Sequence, residues 1–101
     1  MGRRLDLNTL LTGVLGSTNV YFQPPDSTKM LYPCIVYQRD DAITEFAGNR
    51  PYSYTKRYQV TVIDRNPDSE IPDKVAALPM CKFNRFFISD NLNHDVFELY
   101  F

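Results

Sequence analysis

The residues that could do chemistry are few and scattered. His94 is the only histidine, and it stands beside Asp95. Neighbours along a strand point to opposite faces, so these two are not expected to work as an acid–base pair. Ser89 or Cys81 could supply a nucleophile, yet nothing in the sequence sets either one near His94. The histidine therefore reads as a polar turn or edge residue. The run Asp64-Arg65-Asn66-Pro67-Asp68-Ser69-Glu70 carries oxygen side chains at alternate positions, like the start of a calcium loop. That loop needs Gly at its sixth place and a bidentate Glu at its twelfth, where this chain has Ser69 and Val75. A turn leading into an acidic helix N-terminus explains the same residues, because the helix dipole favours carboxylates there. Asp40, Asp41 and Glu45 form a second acidic group. They read as the solvated face of a hairpin arm, with Arg50, Lys56 and Arg57 on the facing arm for weak cross-strand pairing.

Cys34 and Cys81 read as two small buried thiols in a reducing compartment. One histidine and the lack of a Cys-x-x-Cys pair give no zinc pattern. Gly2, Gly13, Gly16 and Gly48 are too dispersed for a phosphate-binding loop. The expectation is a protein with no catalytic set, no metal and no cofactor.

The elements that must position these residues are legible from periodicity. Leu7, Leu10, Leu11, Val14 and Leu15 share one face of a helix, and Gly16 supplies a left-handed stop. Val20 to Phe22 is a short strand, ended by Pro24-Pro25. Met30 to Tyr37 reads as the next strand, running on more weakly through Ile43 and Phe46. Pro33 lacks a donor, so its end of that strand is expected at a sheet edge. Residues 47–51 are the turn of a long hairpin. On the return strand Tyr52, Tyr54, Lys56, Tyr58, Val60 and Val62 alternate with Thr55, Arg57, Gln59, Thr61 and Ile63. The base should be core and the tip should project. A second helix begins near Asp68 or Ser69, either of which can cap it, with Pro72 in its first turn. Ile71, Val75 and Leu78 mark its buried stripe. Cys81 to Ser89 is a strand, and 90–93 a turn. A closing strand puts Asp95, Phe97, Leu99 and Phe101 on one face, so that the fold is closed by its last residue. The expected architecture is α+β, in the order α-β-β-β-α-β-β, with a mostly antiparallel sheet, two packed helices and a protruding hairpin.

At 101 residues the chain is expected to form one domain. Its formal charge of −1 argues against a protein that grips nucleic acid by neutralising phosphates. It shows no run of about 20 apolar residues, the length a membrane-spanning helix needs, and no signal peptide is visible. Tyr and Phe together number 14, with no Trp; many tyrosines suit half-buried strand faces and interfaces.

Three stretches carry a resemblance. One is Val20-Tyr21-Phe22-Gln23-Pro24-Pro25 leading to Tyr32-Pro33-Cys34-Ile35-Val36-Tyr37. The second is Tyr58-Gln59-Val60-Thr61-Val62-Ile63-Asp64 followed by Pro67-Asp68-Ser69-Glu70-Ile71-Pro72, and the third is Asn93 to Phe101. In order and spacing, over nearly the whole chain, they resemble the tail terminator (tail completion, minor tail) proteins of long-tailed bacteriophages. The resemblance implies a single structural domain over 1–101 that forms a homo-oligomeric ring, usually a hexamer, on the head-proximal end of the tail tube. Its implied partners are the major tail tube protein and the head–tail connector or stopper protein. DNA would pass through the lumen without specific binding, and no membrane is involved. The protein would be built in the host bacterial cytoplasm and reside in the virion neck.

No site motif carries over from that family. Strand and loop placement suggest instead that the tip, with Phe46, Gly48, Asn49, Arg50, Tyr52 and Tyr54, contacts a neighbouring subunit or the tube. Asp40, Asp41 or Glu45 are expected to face the channel more than Lys56 or Arg57, because a strongly basic wall would hold DNA. The alternatives are another neck protein (a head-completion or stopper subunit) or a small nucleotide- or nucleic-acid-processing enzyme resting on His94-Asp95 and the acids of 64–70.

Overall fold

A leucine stripe begins the fold. The computed structural model of the chain describes residues 4–25, 29–48 and 50–101, with the side chains of 43, 45–47 and 50–54 outside the description. Helix α1 spans Arg4–Leu15 and buries Leu7 and Leu11 completely, while Leu10, Val14 and Leu15 pack around the rim of the same cluster. Gly16 ends the helix at φ 80°, its N–H reaching Thr12 O at 2.9 Å; only a residue without Cβ takes that conformation at little cost.

Next come β1 (Val20–Phe22), β2 (Cys34–Ala47), β3 (Arg50–Asp64), α2 (Ile71–Ala76), β4 (Cys81–Ser89) and β5 (Leu92–Tyr100). The order is the expected α-β-β-β-α-β-β. The five strands form one sheet in the order β1-β2-β3-β5-β4. Every pair is antiparallel except β1 with β2.

Both helices cover one face of this sheet. Ile35 and Tyr37 of β2, Tyr58, Val60 and Val62 of β3, and Phe97 and Leu99 of β5 meet Leu7, Leu11 and Val75 in a single cluster. Alternation along each strand sends all seven sheet residues the same way. Tyr37 is fully buried, and its hydroxyl donates to Asn8 Oδ1 of α1 at 2.8 Å; a buried phenol needs such a partner.

Four expectations change. Strand β2 begins at Cys34, not Met30, and it lies between β1 and β3 rather than at an edge. Pro33 precedes the first ladder bond, so its missing donor costs nothing there. Leu31, between β1 and β2, lies on the face opposite the helices. Tyr21 points to that face, since its neighbour Phe22 packs on the core, and its hydroxyl accepts the Leu31 N–H at 3.2 Å. Cys34 and Ile63, paired across β2 and β3, are buried on this same second face. Helix α2 starts at Ile71, with Glu70 rather than Asp68 or Ser69 as its N-cap residue; Ser69 Oγ still accepts the Ile71 N–H at 3.3 Å. Finally, both hairpin turns are tighter than expected. Gly48 and Asn49 alone separate β2 from β3, and Asp90 and Asn91, at φ 53° and 63°, separate β4 from β5. Paired positive φ values are those of the turn whose twist matches a two-residue hairpin.

The hairpin β2–β3 is long. Its strands have 14 and 15 residues, and at about 3.4 Å per residue such strands reach roughly 45 Å. The molecule measures 50 × 25 × 23 Å, so this hairpin sets its long axis. The helices cover only the base.

Candidate functional site

His94 and Asp95 are held apart as strand alternation requires. The His94 ring stacks on Phe87 with centroids 4.5 Å apart, and its Nδ1 donates to Leu92 O at 3.0 Å. These contacts sit on the face away from the helices. Asp95 faces the helix side, where burial, and then the nearby Asp73 carboxylate, push its pKa up while His94 opposes them. A raised folded value means that the folded state holds the proton more tightly than the unfolded chain does. That contribution is complete below the ordinary value of 3.8 and is lost as pH rises through the folded pKa. Asp95→Asn is therefore expected to melt above the parent at about pH 7, the gap closing toward about pH 3; a gap that grows on acidification would contradict this.

The oxygen-rich run after β3 is a pair of Asx turns. Asp64 Oδ1 accepts the Asn66 N–H and Asn66 Oδ1 accepts the Asp68 N–H, each at 3.0 Å. Side chains used this way shape a turn before α2. Among the described residues no group of three or more His, Cys, Asp or Glu is placed to hold a metal ion.

The cysteines differ from expectation in one respect. Cys34 is fully buried, and burial together with Asp64 pushes its thiol up to about 12. Cys81 is only half-buried, at the start of the edge strand β4, and burial raises its pKa too. Cys34 points away from the helices and Cys81 toward them, which keeps the two thiols on opposite faces of the sheet.

On the arm, the acids and the base expected across from them do meet. Arg57 Nε lies 2.9 Å from Asp40 Oδ1, with Asp41 at 3.6 Å and Glu98 at 4.0 Å from its other nitrogens. The bond to Asp40, then one to Tyr100, holds the guanidinium well above its ordinary pKa. Asp40 and Asp41 thus share a patch with Arg57. Three carboxylates around one cation leave that patch negative. Of the remaining arm residues, Asn49 and the side chains of Glu45, Phe46, Arg50, Tyr52 and Tyr54 lie outside the described residues; Gly48 is exposed in the turn at φ 68°.

Two features were not anticipated. Strand β4 is exposed along almost its whole length. Phe83, Phe86, Phe87 and Ile88 are 51, 50, 39 and 64% exposed, although their composition suggests core. The run Phe86-Phe87-Ile88, which breaks the alternation of a one-sided strand, was the available signal. The second feature is an apolar groove of about 640 Å³ between the helices and the ends of β3 and β5, lined by Leu10, Thr55, Leu78, Pro79, Met80, Leu99, Tyr100 and Phe101. Among the described residues that line it, none is charged.

Set against known proteins, the chain matches no model of a protein family and no curated protein.

Proposed function

We propose that this protein is a structural component of a phage tail, a terminator subunit that closes the head-proximal end of the tail tube and presents the surface joined to the head. The observation that carries this reading is the long β2–β3 arm standing out from a small helix-covered base. Assembly subunits need surfaces that reach beyond their own core, and a ring needs two different patches on each copy. The acidic arm and the apolar edge of β4 are two such patches, at opposite sides of the sheet. The order and spacing of the three sequence stretches given above support the same reading. His94, stacked on Phe87 and bonded to a carbonyl, is a structural residue in it.

The test is a knockout of the gene in the phage that carries it, viewed by electron microscopy. Free heads with overlong or unjoined tails are expected, and complementation by His94→Ala should restore joined particles. Normal particles from the knockout would remove the terminator reading. A folded but inactive His94→Ala protein would favour an enzyme instead.

A further inference from the structure

Strand β4 pairs with β5 on one side and, among the described residues, with nothing on the other. Ser89 and Leu92 flank a two-residue turn, so they exchange ladder bonds. Antiparallel pairing then alternates, and Phe86 and Ile88 turn their backbone groups outward. An unpaired edge carrying exposed phenylalanines is a template for another strand. Lys82 and Arg85 add positive charge, on the face away from the helices.

The other side of the sheet offers a matching edge. Strand β1 covers β2 only at Ile35, Val36 and Tyr37, and Gln23 Oε1 accepts the Arg39 N–H just beyond. From Asp40 to Ala47 no described strand lies beside β2 on that side. This free stretch is about as long as β4. Its charge is opposite, since Asp40 and Asp41 stand there against the one Arg57 of β3. Arg57 also lies on the face away from the helices, because its neighbour Tyr58 is in the core.

We propose that the free edge of β4 docks on the outer edge of the β2 arm of a second copy of this chain, continuing the sheet head to tail. Acid and base then meet on one face of the joined sheet. A contact of β4 with β4 would instead bring Lys82 and Arg85 of both copies together. A head-to-tail contact generates rings or filaments rather than closed pairs, and it is this that would build the ring of the terminator reading, on which the biological role of the contact rests.

Sedimentation of the purified full chain at rising concentration tests it. The mass is expected to climb above the 11.8 kDa monomer; a chain that stays monomeric overturns the proposal. Lys82→Glu with Arg85→Glu makes both edges acidic, and Asp40→Lys with Asp41→Lys makes both basic. Each double variant alone should lose association, and an equimolar mixture should regain it, because every contact is again between unlike edges. Association of either variant by itself, or a mixture that stays monomeric, overturns the proposal. Because Asp40→Lys with Asp41→Lys removes partners of Arg57, Phe86→Pro is the second probe. It deletes an outward donor from an exposed position without breaking the β5 ladder, and it should give a folded monomer by circular dichroism and sedimentation. Association equal to the parent's would count against the edge. If the charge swap succeeds while the knockout phage is normal, the contact stands and the terminator reading falls.

Discussion

Deleting Val96 to Phe101 is expected to abolish the cooperative melt. Strand β5 is not an edge; it lies between β3 and β4. The deletion removes Val96, Phe97 and Leu99, which are 1, 2 and 1% exposed, each worth roughly 1.5–3 kcal/mol when buried. It also strips the ladder bonds of two neighbours and removes the Phe101 N–H that Lys56 O accepts. A domain of this size has only about 5–15 kcal/mol to lose. The single change Phe97→Ala isolates the packing part. Phe97 meets Phe83 edge-on at 5.6 Å and sits in the central cluster, so truncation should cost about 3–5 kcal/mol and lower the midpoint by more than ~10 °C. Circular dichroism through a thermal scan reads both. A cooperative transition in the truncated chain would show that β5 is dispensable and that the core is placed wrongly.

The burial of β5 shows what periodicity can and cannot give. Phe97 and Leu99 were legible as inward from the period of two along the strand, as was the core face of β3, and the 3.6-residue period found that of α1. Val96 was not, since its burial depends on the strands on either side of it. Cys34 was expected to be buried, but Ile63, on the same second face where Tyr21 meets Leu31, was not, because no local pattern shows that this face is covered. Sheet order is non-local in the same sense. That β4 ends up at the edge follows from β5 inserting between it and β3, which leaves its phenylalanines exposed. The tight Asp90-Asn91 turn did have a signal, because Asp and Asn tolerate positive φ. Of the chemical groups, the separation of His94 from Asp95 and the pairing of Arg57 with Asp40 were both readable from alternation and charge. The groove at Phe101 was not, because it is assembled from four separate parts of the chain.

Shortening the arm is expected to separate folding from function. Replacing residues 44–54 by Asn-Gly would rejoin β2 to β3 at the Ile43–Thr55 pair with a turn suited to a two-residue hairpin. Among the described residues, the central cluster draws on β2 and β3 at Ile35, Tyr37, Tyr58, Val60 and Val62, all of them retained. The melting midpoint should therefore stay within a few degrees of the parent, since changes away from the core usually stay within about 0.5 kcal/mol. Asp40, Asp41 and Arg57 also survive, but residues 44–47, half of the outer β2 edge proposed above as the subunit contact, go with the arm. What disappears is the reach of the arm and any grip that its tip has on a neighbour or on the tube. In complementation of a knockout phage, the shortened protein is expected to yield tails that are not capped and heads that are not joined, a loss of infectivity of several orders of magnitude. The comparison is decisive because the two readouts move independently. A shortened chain that melts like the parent and restores normal tails would mean that the arm is not the working part of the molecule. One that fails to melt cooperatively would mean that the base does not fold without it.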